Sequence, residues 1–297
     1  MRQPSDPVLA AWAGSLRARS EHTARSYGAA AERFLGQVGK PVDQLTVTDA
    51  LVYVGELSGS GLSRGSVATY ISGVRSFLRH CQQIGLLPQT PLDVLRRPRV
   101  AITSLNRYLD IDEAKELLEG ARMVGPAAHV AVAVLLATGL RVQELAGAQW
   151  RHLFRDPQGG LGLLVVHGKG GKERVVAVRD DLWQVLVADR RRRSLPAELS
   201  SSDISPLVAD RDGTAPSSST VWRWVRRAAL AARLAKADVS PHWLRHTFGT
   251  LTAIGGASVF QIQAAMGHSR IDTSQRYIHW ARGVSDCAAH LLPLDIR

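Results

Sequence analysis

The chain has 297 residues, 45% of them apolar, which suits two modest soluble domains better than one core, since single cores seldom grow far beyond roughly 250 residues. Lysine and arginine outnumber aspartate and glutamate by 37 to 26, and the resulting formal charge of +11 favours a polyanionic partner, nucleic acid before any other. Cys81 and Cys287 fit neither a disulfide framework nor a paired zinc spacing, the first residues lack the apolar core of a signal peptide, and no apolar run approaches the roughly 20 residues that span a bilayer, so a cytoplasmic protein with no membrane partner is expected.

In chain order, Tyr27, Ala30, Ala31, Phe34, Leu35 and Val38 recur at helical spacing and predict a helix over residues 20–39 with Ser20 placed as its cap. A second helix runs from Thr46 or Thr48 to Leu57. After the break Ser58-Gly-Ser-Gly61, a third carries Val67, Tyr70, Ile71, Val74, Phe77 and Leu78 on one stripe, with Arg64, Arg75 and Arg79 elsewhere. The first third is therefore read as all-helical. Prolines in Leu87-Pro-Gln-Thr-Pro-Leu92 and the basic Arg96-Arg-Pro-Arg99 mark an inter-domain linker. The expected division is a helical domain over residues 1–97, a linker over 98–107 and a second domain over 108–297.

Beyond the linker, Asp110-Ile-Asp-Glu opens a helix with acidic residues that complement its dipole, and an apolar helix ends near Gly139. Residues 160–178 are two β-branched runs around Gly168-Lys-Gly-Gly-Lys172, the pattern of a β-hairpin with a basic tip. Helices are then expected over 181–193, 220–236 and 243–254, with a short one after Ser258 and a tail over 283–292. The fold class is mainly α with a small β-sheet. Of Trp150, Trp183, Trp222, Trp224, Trp243 and Trp280, most are read as core. The run Arg190-Arg-Arg-Arg193 and the set Arg223, Arg226 and Arg227 are candidates to follow phosphates, the second more than the first.

Three patterns carry chemistry: Thr138-Gly-Leu-Arg-Val-Gln-Glu-Leu145, His242-Trp-Leu-Arg-His246, and Gly267-His-Ser-Arg-Ile-Asp-Thr-Ser-Gln-Arg-Tyr277. In this order, with a hairpin lysine between the first two and a helical domain ahead, they resemble the tyrosine recombinase (phage integrase) family, its short Xer-like members most of all, across almost the whole chain. The resemblance implies a helical SAM-like core-binding domain and a catalytic domain that close as a C-shaped clamp on DNA, with strand cleavage and rejoining through a 3′-phosphotyrosyl bond and no metal, cofactor or ATP. It implies six catalytic positions: Arg141, Lys169, His242, Arg245, His268 and the nucleophile Tyr277.

Each residue type suits its implied role. Charge gathers on the non-bridging oxygens of a phosphodiester under attack, and the forked guanidinium groups of Arg141 and Arg245 donate in pairs to such oxygens. Glu144 is placed to orient Arg141. His242 and Arg245, three residues apart, share a helical face. The spacing of His242 and His246 also fits a metal pair, but Trp243 stands where a zinc protease carries its glutamate. Lys169, with Lys172 as its competitor, would protonate the leaving oxygen. His268 would contact the phosphate near the start of a helix, and His246 would support the site from outside the catalytic set.

The expected partners are double-stranded DNA core sites, bound by a homo-tetramer, or a hetero-tetramer with a paralogue, on synapsed DNA. The helical unit starts almost at once, so no separate arm-binding domain is expected, and the tail docks either on a neighbouring protomer or on its own domain. Two other functions stay open on the sequence: a type IB topoisomerase that relaxes supercoils with the same residues, and a DNA-binding protein of this fold without catalysis.

Overall fold

A computed structural model describes residues 7–18, 21–87, 95, 96, 98, 107–156, 160, 162–168, 171–236, 238–268, 270, 271, 273–275, 277 and 278, the side chain of His22 excepted. The chain divides into two compact units, Met1–Ile102 and Thr103–Arg297. Most of the stretch read as a linker lies outside the described residues, as do Ser20, Trp280 and the tail.

In the first unit the described helices are α1 (Pro7–Arg17), α2 (Glu21–Val38), α3 (Val47–Gly59) and α4 (Arg64–Gln83). The periodicity of α2, α3 and α4 is legible in the sequence; α1 is an addition that sequence reasoning missed. Only Leu9 and Trp12 of α1 are buried, a pair too small to make a stripe, and Trp12 sets its ring edge-on to Phe77 at 5.2 Å. Thr46 caps α3 through a reciprocal pair with Asp49, which the Lys40 ammonium and the Thr46 donors hold at a pKa of about 2. Helices α2 and α4 cross so closely that a Cβ on Gly73 would stand 2.7 Å from the Ala30 Cβ.

The second unit starts with α5 (Ile111–Val124), capped by Asp110 and Glu113, and α6 (Pro126–Thr138). Helix α6 is apolar on most of its circumference, His129 and Thr138 excepted, and lies in the core. It ends where Gly139 turns left-handed at φ 63°, and α7 (Val142–Ala146) follows directly. Three antiparallel strands, β1 (Leu153–Arg155), β2 (Gly162–His167) and β3 (Glu173–Val178), form one sheet in chain order. Leu164, Val166, Val176 and Val178 alternate onto its buried face. The expected hairpin is β2–β3, in register from Gly162↔Val178 to His167↔Glu173; β1, three residues long, was not expected.

Helices α8 (Asp180–Arg192), α9 (Ser218–Ala231), α10 (Pro241–Ile254) and α11 (Val259–Met266) follow the sheet. Helix α9 stops short of the expected Lys236, because Arg233 takes a left-handed φ of 54°. Gly120 of α5 lets α9 approach until a Cβ there would meet the Ala228 carbonyl. The fold is thus mainly α with one small sheet. No described helix is long and apolar enough to cross a membrane.

Candidate active site

Helix α10 supplies the spine of the site. Pro241 opens its first turn, where a ring-fixed φ is already helical and the missing N–H would have had no partner within the helix. His242, Arg245, His246 and Gly249 then recur at i, i+3, i+4 and i+7, which puts all four on one stripe. The other side of the helix anchors it: Leu244 joins the main core, and the Thr247 hydroxyl accepts a bond from the Leu109 amide at 2.9 Å.

Two arginines reach the site by different supports. Arg245 is 4% exposed and donates to the Gly139 carbonyl at 2.6 Å and the Met266 carbonyl at 2.5 Å, at the C-terminal ends of α6 and α11, where the helix dipoles favour a cation. Burial and the neighbouring Arg141 lower its pKa to about 10, which still leaves it charged near neutrality. Arg141 precedes α7 with its side chain 46% exposed, donating to Glu144 at 2.9 Å and to the Gly267 carbonyl at 3.3 Å.

Glu144 ties these together. Its carboxylate, 5% exposed, accepts from the Arg141 amide at 2.7 Å and from both terminal nitrogens of Arg174 at 2.8 Å, besides the Arg141 side chain. Burial pushes the carboxyl up, but the bonds from Arg174 and Arg141 outweigh it and hold the pKa at about 2. Arg174, on β3, also donates to the Ala265 carbonyl at 2.9 Å and so fastens the sheet to α11. Sequence reasoning found Glu144 as the orienting group but missed Arg174, whose place inside a β-branched strand gives no signal. Two features favour glycine at 267: its φ is 62°, and a Cβ would stand 3.0–3.1 Å from the Arg174 side chain, which would have to shift.

Histidines and the tyrosine close the site. Tyr277 is 7% exposed, in a stretch where residues 273–275 and 277–278 are helical. Its hydroxyl lies 2.8 Å from His246 Nδ1, and its ring lies against Gly249, where a Cβ would come within 2.8–3.0 Å of it. His246 packs edge-on against His242, centroids 4.4 Å apart, while His242 itself is exposed. Desolvation and the charges of Arg245, Arg107 and Arg141 lower the His242 pKa. His268 lies parallel to the Tyr277 ring at 6.3 Å and shares a 2.8 Å hydrogen bond with the Ser274 hydroxyl through Nδ1. Desolvation, then Arg245 and Arg141, bring its pKa to about 4, so it is neutral near pH 7. It follows the C-terminus of α11 rather than opening a helix, because Gly267 ends that helix left-handed.

Contacts therefore link five of the six expected residues: Arg141, His242, Arg245, His268 and Tyr277. Lys169 lies outside the described residues; its loop is bracketed by the bond from the Gly168 amide to the Lys172 carbonyl at 2.7 Å, and Lys172 is exposed. His246, left out of the catalytic set on sequence, touches the tyrosine hydroxyl. Among the described residues no group of three His, Cys, Asp or Glu is placed to hold a metal ion. As a phosphate track the run 190–193 needs correcting at Arg190 and Arg193, which turn inward, while Arg191 and Arg192 stay exposed. Arg190 is 1% exposed, stacks on Trp150 at 4.4 Å, donates to the Pro196 carbonyl at 2.7 Å and pairs with Asp203 and Ser205. Arg192 and Arg193 pair with Asp189. Of the tryptophans, Trp150 is buried, Trp183, Trp224 and Trp243 pack against the core, and Trp222 is 47% exposed.

The sequence model of the phage integrase family matches residues 107–283, and that of the phage integrase N-terminal SAM-like domain matches residues 15–83. The tyrosine recombinase XerD of Caulobacter vibrioides is 31% identical over 273 residues, which cover 89% of this chain and 88% of that one. Two solved structures share the fold. The XerH site-specific recombinase bound to palindromic difH substrate, a post-cleavage complex, has a TM-score of 0.73 at 19% identity, covering 90% of this chain and 79% of that one. A lambda integrase tetramer bound to a Holliday junction has a TM-score of 0.70 at 18% identity, covering 98% and 80%.

Proposed function

This chain belongs to the phage integrase family and is a tyrosine-type site-specific DNA recombinase, and we propose that it cuts and rejoins DNA through Tyr277. The observation that carries this assignment of residues is the unbroken set of contacts from Arg141 and Arg245, through the carbonyls of Gly139, Met266 and Gly267, to His268, Tyr277, His246 and His242. A phosphate seated against Arg141 and Arg245 receives paired donors on its non-bridging oxygens as negative charge develops there. His242, exposed beside them, and neutral His268, with the Ser274 hydroxyl donating to Nδ1 and a hydrogen left on Nε2, add neutral donors to the same phosphate.

Tyr277 Oη attacks phosphorus, the 5′-oxygen departs with a proton from Lys169 at the hairpin tip, and a 3′-phosphotyrosyl bond remains. That bond keeps the energy of the phosphodiester, so the 5′-hydroxyl of a partner strand religates without metal or ATP. The partners are double-stranded core sites in the cytoplasm. Four protomers act on two synapsed duplexes, an assembly supported by the lambda integrase tetramer.

Covalent capture tests this. Wild-type and Tyr277→Phe proteins are incubated with host genomic fragments and nicked duplexes, denatured, and the attached DNA is sequenced. Attachment at one short, roughly palindromic site in the wild type alone is expected; attachment that survives in Tyr277→Phe, or none in the wild type under conditions of specific binding, overturns it.

A further inference from the structure

A tyrosine nucleophile must lose its proton, and none of the six positions above is assigned to take it. A phenol with a pKa near 10 is ionised in only about one molecule in a thousand at pH 7, so a base within hydrogen-bond reach raises the rate, by roughly 10²- to 10⁴-fold for a well-placed group. We propose that His246 is a catalytic residue of this enzyme: its Nδ1 accepts the Tyr277 proton during cleavage and returns it during ligation. The inference rests on Tyr277 being the nucleophile.

Geometry singles out His246. Its Nδ1 lies 2.8 Å from Tyr277 Oη, within the reach required for direct transfer, and both side chains are held: Tyr277 is 7% exposed over Gly249, and His246 is packed edge-on by His242. In the tautomer with hydrogen on Nε2, the Nδ1 lone pair faces the phenol. His242 meets this pair through the His246 ring and is itself exposed, a placement that suits contact with the phosphate rather than with the proton. Among the described residues, the other charged or titratable groups around the pair are Arg245 on α10, His268 behind α11, Arg141 and Glu144 at α7, Arg174 on β3, and Arg107 beside His242.

The step balances. The Oη–H bond breaks and its proton passes to Nδ1; the Oη–P bond forms; the P–O5′ bond breaks and that oxygen takes a proton from the hairpin lysine. Ligation reverses each transfer, so the imidazole and the ammonium are both restored.

The test is single-turnover cleavage of a nicked duplex from pH 6 to 10, with wild type, His246→Asn, which keeps a hydrogen-bonding atom near Nδ1 but is no base, and His246→Ala with added imidazole. Wild-type cleavage is expected to rise through one imidazole ionisation and level off. His246→Asn should cleave about 10²- to 10⁴-fold more slowly at pH 7, with the deficit closing as pH nears the phenol's own pKa of about 10, and imidazole should rescue His246→Ala in proportion to its free base. A wild-type rate that climbs without levelling until about pH 10 overturns the proposal, and so does a His246→Asn deficit that is absent or equal at every pH. A wild-type profile without an imidazole ionisation overturns the proposal even where a variant fails to fold, and the imidazole rescue of His246→Ala separates His246 from His242 and His268. Tyr277→Phe run alongside separates the two readings: attachment surviving in it defeats the nucleophile assignment, whereas attachment lost there and unchanged in His246→Asn defeats only the role of His246.

Discussion

Arg190, Arg191, Arg192 and Arg193 stand side by side in the sequence, whereas Arg141, Arg174 and Arg245 are scattered through the second unit, yet it is the scattered set that meets beside Tyr277. Acids anchor most of both groups, but Arg245 is held by the carbonyls of Gly139 and Met266, and Arg191 is exposed. Arg190 is spent inward on Asp203, Ser205 and the Pro196 carbonyl, stitching the loop after α8 to Trp150. Arg141 is half-exposed because Glu144 is already satisfied by Arg174 and holds Arg141 without covering it. Charge density along a chain therefore says little about which guanidinium groups remain open to a phosphate; the arrangement of acids and carbonyls around them decides it.

The sharpest break between the two groups is in stability. Arg190→Ala should cost roughly 3–5 kcal/mol, since it strips the partner from a buried charge pair, while cleavage per folded molecule is unchanged; Arg191→Ala, at an exposed position, should stay within about 0.5 kcal/mol. Denaturant titration beside a cleavage assay measures both, and a stable Arg190→Ala with poor cleavage would reverse the comparison. Arg141→Ala should do the opposite, lowering the cleavage rate about 10²- to 10³-fold while its half-exposed pair costs less than about 1 kcal/mol of stability.

Glu144 gives a pH-dependent version. Its pKa falls from 4.5 to about 2 in the folded protein, so its stabilisation is fully present above about pH 4.5 and is lost as pH falls through 2. The wild type should lose on the order of 3 kcal/mol from this group across that window, and Glu144→Gln should lack that part of the acid slope in chemical denaturation series. An identical slope in the two proteins would show that the carboxylate is not held as described.

Much of this fold is legible in the chain itself. Periodicity at 3.6 placed α2, α3, α4, α8 and α10, a β-branched run on each side of a glycine-rich turn placed the β2–β3 hairpin, and the spacing of His242 and Arg245 put them on one helical face, because these signals are local and short-range. What escaped was weak or non-local. Helix α1 buries two side chains only through packing on its neighbours, and β1 is three residues long.

The sequence by itself determined which residues have the chemistry for a phosphodiester and which lie on the same turn of a helix. Tertiary structure alone decided that Arg174 crosses from β3 to Glu144, that Arg190 turns inward, and that His246 rather than His242 meets the Tyr277 hydroxyl. The physical reason is that hydrogen bonds and desolvation act over a few ångströms between elements distant in the chain. Spacing in sequence fixes a side chain's direction on its own helix or strand, but not the group it will face.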